Sequence, residues 1–451
     1  MGPAVGQHDR LFYEFNLENR IPANHLLRRI DAVLDLSWLR SEIAPFYSHT
    51  GCPSIDPELM IRMLLVGYCY SIRSERRLCQ EVELNLAYRW FCRLGLEDKV
   101  PNHSTFSVNR HGRFRDGDVL RQMFERIVRQ CMDAGLVKGE GFAVDASVIE
   151  ADASRFQRVE GSEVEWSEEQ LARRAIKEYV TALESENAPT NPERKPKAMS
   201  PSDPSAAWTS RGRNKVMFGY SLNYLIDMEN AVIVDVEATP TRISKEVEAT
   251  ETMIERTQQR FDLKPDHLAG DVAYGTGKML GWLVERGIDP HIPVWDKSKG
   301  RIETFSRDDF AYDKERDLYI CPEGKTLKTT GRMHDGKTLY YRASNLDCEH
   351  CPMKPQCCPK SPTRRLQRDV NEEARDHARF LNGSEAYNQS ARDRKKIERL
   401  FGEAKRNMAM TRLRLRGLSG AKDEFLLTAT VQNLKRLIKR ASRPPPRPIT
   451  A

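Results

Sequence analysis

Two short apolar runs each carry an aspartate where a buried strand is expected. They are Gly141-Phe142-Ala143-Val144-Asp145-Ala146-Ser147-Val148-Ile149 and His267-Leu268-Ala269-Gly270-Asp271. A buried carboxylate is costly unless it is paired or ligates a metal. Each run is therefore read as a strand ending in an acid with a job, with capping of the following turn as the competing reading of Asp145. The two aspartates are far apart in the chain, so only a folded sheet can bring them together. A third acid lies on an amphipathic helix at 391–405, where Ile397, Leu400, Phe401, Ala404 and Met408 recur at helical spacing. On a wheel of about 100° per residue with Arg394 as origin, Lys405 falls about 20° away, Glu398 about 40° and Phe401 about −20°. Glu403 falls about 180° away, towards solvent. One acid and two bases thus flank the buried stripe, although a surface helix with i,i+4 ion pairs has the same pattern. Three carboxylates meeting at a point repel one another unless divalent cations lie between them.

The rest of the chain frames these acids. At 451 residues it exceeds one ordinary core, so two or three domains are expected. A helix is read over 30–39. Asp56 caps a helix at 57–68 with Pro57 at its first position, Ser74 caps 75–82, a helix follows at 87–94, and Asn102 opens 106–114 before a last helix at 119–134. This gives an all-helical N-terminal domain over 1–135, for DNA binding or dimerisation. At Gly139 the period changes to that of strands, opening an α/β part over 136–295. Within it, 155–205 reads as a mobile connector around a helix capped by Ser167. Glu229-Asn230 separates two β-rich runs as a hairpin would. An insertion at 296–385, closing helices at 386–440 and a proline-rich tail at 441–451 complete the chain.

Net charge is +7, concentrated at 62–115 and, more densely, at 392–440. Such patches suit a polyanion, because each neutralised phosphate releases counterions. Arg73, Arg76, Arg77, Arg110, Arg113 and Arg115 are the N-terminal candidates for phosphate contacts; Arg394, Lys405, Arg412 and Arg414 are the C-terminal ones. No apolar run approaches a membrane span and no secretory signal is visible, so a cytoplasmic protein is expected, nucleoid-associated in a bacterium.

These residues together resemble the DDE transposases of bacterial insertion sequences. The likeness covers the helical start from Gly51-Cys52-Pro53 to Phe114, the Asp145 strand, the Gly270-Asp271-Val272-Ala273-Tyr274-Gly275 turn and the closing helix. The family signature on that helix is Tyr, two residues, Arg, three residues, Glu, six residues, Lys. Arg394, Glu398 and Lys405 match it; Ala391 stands at the tyrosine position, and Asp152 stands where relatives often have Asn. The resemblance implies a ribonuclease-H-like catalytic core in which Asp145, Asp271 and Glu398 hold two Mg2+ ions, with Mn2+ able to substitute. It implies cleavage at the ends of the element and transfer into target DNA. The expected partners are double-stranded DNA, as element ends and target site, and a second copy of the chain, giving at least a homodimer. The alternatives are a DNA-binding regulator with an inactive nuclease core and a nuclease that only hydrolyses.

Ten cysteines in a cytosolic chain argue against a disulfide framework. Cys52, Cys69, Cys79, Cys92 and Cys131 lie among apolar residues and read as small core side chains. The other five are clustered: Cys321-Pro322-Glu323-Gly324, then Cys348-Glu349-His350-Cys351 and Cys357-Cys358. Cys321, Cys348, Cys351 and Cys357 are read as the ligands of a structural Zn2+, with Cys358, His350 and His334 in reserve for the fourth place. Zinc would pin an insertion with little obvious core of its own.

Overall fold

The computed structural model describes residues 15–47, 54–160, 164, 166–185, 198–211, 215–295 and 304–441. The expected tail beyond Ala441, Cys52 and the Gly51–Pro53 stretch lie outside the described residues. The helical start holds closely to the capping signals. Asp56 accepts from the Glu58 amide ahead of Pro57–Cys69, Ser74 from Arg77 ahead of Glu75–Leu84, and Asn102 from Ser104 ahead of His103–His111. The single helix expected over 30–39 is instead two pieces, Leu26–Asp31 and Leu39–Ile43. The Asp35 carboxylate accepts from the Ser37 amide, and the Trp38 indole donates to the Asp35 carbonyl. This local turn competes successfully with helix continuation.

The central sheet contains β1 (Gly141–Glu150), β2 (Ala207–Arg211), β3 (Lys215–Asp227), β4 (Val232–Pro240), β5 (His267–Ala269) and β6 (Asp289–His291). Across it the order is β4-β3-β1-β5-β6, with β3 antiparallel to β1 and β4, and β5 and β6 parallel to β1. β2 pairs with the opening residues of β3. The hairpin expected at Glu229-Asn230 joins β3 to β4, and the Asp227 carboxylate accepts from the Glu229 amide within it.

Alternation decides what each face meets. Phe142, Val144, Leu225 and Leu268 face the helices Ile243–Phe261 and Gly277–Glu285. The opposite face carries Ala143, Tyr224, Ile226 and Ala269 and is covered by the closing helix, Glu385–Asn407, and the C-terminal helix, Gly417–Ala441. Tyr224 stacks on Phe401 with centroids 5.0 Å apart and donates to Gln432 at 2.9 Å.

The C-terminal helix also packs on the N-terminal helices Pro57–Cys69 and Val119–Asp133. One continuous apolar core therefore runs from Leu27 through Phe124 and Tyr224 to Phe425. The boundary expected at 135 is a change of period, not a break in the core. Nor are the described parts of the connector loose. Helix Arg174–Ser185 lies against the C-terminal helix: Arg174 meets the Arg416 carbonyl and the Ser419 hydroxyl, and Ser419 donates to Glu178.

The insertion has more core than its sequence suggested. β7 (Ala311–Asp313), β8 (Leu318–Ile320), β9 (Thr326–His334), β10 (Thr338–Ala343) and β11 (Arg365–Asp369) form an antiparallel sheet in sequential order. Phe310, Tyr319, Leu327, Tyr341 and Leu366 bury one face together with Cys348, Cys357 and Cys358. A sheet wetted on its other face needs apolar residues only at alternate positions, and the Lys- and Arg-rich intervening positions hide that pattern.

Candidate active site

Asp145 lies in the middle of β1, not at its end, because β1 continues to Glu150. Its placement next to Asp271 follows from register. Ala143 pairs with Ala269 in parallel, and each aspartate is two residues further on, so both carboxylates belong to the face covered by the closing helix. Beyond Ala269 the chain turns. Asp271 caps the turn Val272–Tyr274 by accepting from the Ala273 amide at 2.8 Å. Gly275 then passes so near β6 that a Cβ there would stand 1.9 Å from the Pro293 carbonyl oxygen; its own carbonyl accepts from the Trp295 amide at 2.8 Å. This close approach pins the turn that carries Asp271.

The closing helix supplies the third acid. Ser384 caps it, and Ile397, Leu400, Phe401 and Ala404 form its buried stripe. Arg394 Nη1 reaches Asp145 Oδ2 at 3.3 Å, and one turn later Glu398 stands on the same edge, exposed at the rim. Lys405 donates to the Ser147 hydroxyl, two residues beyond Asp145 and on the same face of β1. Arg394, Glu398 and Lys405 therefore share the edge that the helical wheel gave them. Glu403 does not point to solvent as expected. It lies against the C-terminal helix, accepting from Gln432 at 3.2 Å and Lys435 at 3.1 Å. The wheel placed it away from the sheet correctly but could not see a second helix on that side.

Burial pushes the Asp145 carboxyl up to about 6, and the nearby charges of Asp271 and Glu398 push the same way. The Ala146 amide and Arg394 oppose this without cancelling it. Tyr274, which sequence reasoning left as part of a turn, is 2% exposed, and its hydroxyl has no hydrogen-bond partner among the described residues. Burial first, then Glu246, Asp145 and Asp271, hold that phenol well above its usual range. Ser147 was missed as well; its spacing of two from Asp145 was the available signal.

The described cysteines fall into two groups. Cys69, Cys79, Cys92 and Cys131 are buried with the core. Cys321, Cys348, Cys351, Cys357 and Cys358 all line one small apolar cavity in the insertion. Cys321 sits in a tight turn where the Gly324 amide donates to its carbonyl and the Lys325 amide to its Sγ at 3.3 Å. His350 and His334 do not line the cavity; His334 packs on Tyr340 at the end of β9. Among the described residues no three His, Cys, Asp or Glu side chains are set close enough to hold a metal ion.

The arginines part company. Arg73 and Arg110, expected to contact phosphate, are buried: Arg73 ion-pairs with Glu424 of the C-terminal helix, and Arg110 with Glu75 at 3.1 Å. Arg113 bonds Asn109 at 2.7 Å and Arg115 pairs with Asp423 at 2.7 Å. Arg76 and Arg77 are exposed, beside His103 and Glu81. Arg412 and Arg414 are exposed too, Arg412 meeting Asp152 at 3.1 Å. No helix among the described residues is long and apolar enough to cross a membrane.

Two family models match the chain: "Transposase domain (DUF772)" over residues 15–112 and "Transposase DDE domain" over residues 320–438. The second takes in Glu398 and the cysteine cluster, while Asp145 and Asp271 lie between the two matched stretches. No solved structure matches.

Proposed function

For this chain, a DDE transposase of the insertion-sequence type whose reaction is metal-dependent phosphodiester cleavage and strand transfer, we propose that Asp145, Asp271 and Glu398 form the catalytic site. The observation that carries this reading is the Arg394–Asp145 contact at 3.3 Å. It ties the closing helix to β1 and leaves Glu398 one turn, about 6 Å, further along the same edge. The sheet order β4-β3-β1-β5-β6, with its two parallel strands beyond β1, supports a ribonuclease-H-like core.

The residues suit a pair of Mg2+ ions. Asp271 and Glu398 lie near enough to Asp145 for their charges to act on its carboxyl, and the burial of Asp145 raises the cost of its negative charge. A divalent ion that drew the three acids together would offset both. Divalent ions bound there supply an activated water or 3′-hydroxyl and stabilise the leaving oxygen. The chain's own contribution is orientation and charge. Arg394 holds the Asp145 carboxylate against β1, and Lys405 at Ser147 presents a cation on the same face for a neighbouring phosphate. Arg76, Arg77, Arg412 and Arg414 are the exposed candidates for double-stranded DNA, whereas Arg73 and Arg110 are left out because they are buried and paired. A second copy of the chain would bring two element ends together.

The test is cleavage of end-labelled element-end DNA by the purified chain with Mg2+ or Mn2+. Asp145→Asn, Asp271→Asn and Glu398→Gln should each lower the rate by at least a hundredfold, since each removes several kcal/mol of transition-state stabilisation. A fully active Glu398→Gln variant would refute the assignment.

The cysteine cavity supports a structural Zn2+ in the insertion. Five thiols surround one space, and an amide donates to Cys321 Sγ, as suits a thiolate. Cys358 takes its place as a candidate ligand beside Cys321, Cys348, Cys351 and Cys357. Burial pushes the Cys357 thiol up to about 12, so metal must displace a firmly held proton and zinc affinity should fall steeply as pH is lowered. Elemental analysis should find one equivalent of zinc per chain; less than about half, with no other metal, counts against the site.

A further inference from the structure

β1 does not stop at the carboxylates, and a row of cations follows it outward. Arg394 stands at Asp145 and Lys405 at Ser147, on one face of the strand. The segment after the closing helix then runs beside the end of β1: the Glu150 amide donates to the Thr411 carbonyl, and the Leu413 amide to the Glu150 carbonyl at 2.7 Å. That pairing places Arg412 and Arg416 on a single acid, Asp152, at 3.1 and 3.0 Å. Next along the chain, the Arg155 guanidinium lies 4.7 Å over the Phe156 ring, and Arg158 lies 5.3 Å over Trp208. Phe156 is 82% exposed.

A scattered exposed apolar residue needs no explanation. Phe156 is different in its company. It ends a row in which one aspartate is shared by two arginines, and Arg155 and Arg158 make no ion pair among the described residues. Cations beside an exposed aromatic ring are what a nucleic-acid strand recognises, phosphates on the one and a base on the other. A duplex hides its base faces, so an aromatic platform selects unpaired bases.

We propose that this row is a track for a single DNA strand and that Phe156 stacks on one of its bases. From Asp145 to the end of β1 at Glu150 the chain advances about 17 Å, at about 3.3 Å per residue. The direction of the track rests on the catalytic reading of Asp145; the binding itself does not.

The test uses the full chain and a fluorescein-labelled dT oligomer of about 20 nucleotides, with a blunt duplex of equal length alongside. Phe156→Ala should weaken single-strand binding by roughly tenfold, Phe156→Trp should restore it, and duplex binding should change by less than about twofold. Arg412→Ala should weaken both. Single-strand affinity unchanged in Phe156→Ala, or equally poor in Phe156→Trp, overturns the proposal. So does a change in oligomeric state in Phe156→Ala with binding intact, which would make the ring a subunit contact. These readings need no cleavage, so a chain that binds as described but never cuts would refute the catalytic assignment and leave the track standing.

Discussion

Arg73 and Arg412 look alike in sequence, each among other arginines in a basic stretch, yet they do opposite things. Arg73 is 8% exposed and pairs with Glu424, which is itself 1% exposed; Arg110 is 4% exposed beside Glu75. Arg412 and Arg416 keep nearly half their side-chain surface and share Asp152 between them. What separates the two groups is burial and the count of acids. Arg73 and Arg110 each meet an acid of their own inside the fold, whereas Arg412 and Arg416 share one acid at the surface. A local count of cations cannot register an acid that arrives from hundreds of residues away. Basic stretches in a sequence are therefore a catalogue of what needs neutralising, and only the fold says which charges are answered internally and which are left for a polyanion.

The sharpest way to break that division is Arg73→Ala. It leaves Glu424 buried and unpaired, and should cost about 3–5 kcal/mol in denaturant unfolding. A loss below 1 kcal/mol would place Arg73 with the surface group. Glu403→Gln comes next. It removes the charge that Lys435 meets at 3.1 Å in a half-buried setting and should cost about 1 kcal/mol of stability while leaving most cleavage activity, since the side chain faces away from the sheet.

Arg394 sits between the groups, half-buried yet paired to an acid whose carboxyl is pushed up to about 6. As pH rises from about 4 towards 6, the unfolded chain ionises this aspartate before the folded chain does, so this group lowers metal-free stability across that window. Asp145→Asn should remove this part of the pH dependence and stabilise the metal-free chain by about 1 kcal/mol near neutrality, even as it abolishes cleavage. Thermal melts at a series of pH values, without divalent metal, decide it. The smallest effect on stability belongs to the double substitution Arg412→Ala, Arg416→Ala, which should change unfolding by less than about 0.5 kcal/mol. Its signature lies elsewhere: the slope of log affinity for duplex DNA against log salt should become shallower by about 2.

Local chemistry was the legible part of the sequence. Asp56, Ser74 and Asn102 announce their helices because a cap acts within three residues. The edge shared by Arg394, Glu398 and Lys405 follows from helical geometry alone. The two aspartates were recognisable as misfits in apolar runs, but the end of β1 was misplaced because Ala146 to Glu150 carry the mixed polarity of a strand whose flank is half open. What could not be read depended on partners remote in sequence: Glu403 on the C-terminal helix, Glu424 beneath Arg73, and the wetted sheet of the insertion. Phe156 was passed over because nothing in its neighbours distinguishes an exposed phenylalanine from a core one.

The helix Gly417–Ala441 has a consequence for how the protein comes into being. It seals the sheet on one side, receives the N-terminal helices on the other, and holds Glu424 against Arg73. It is also the last helix in chain order among the described residues. At about 5–20 residues per second, the first helices wait roughly 20 to 75 seconds during synthesis for the partner that completes them. A message cut short before codon 417 would yield a chain with all three acids and no finished core to set them in, a product fit for proteolysis and unable to mobilise DNA.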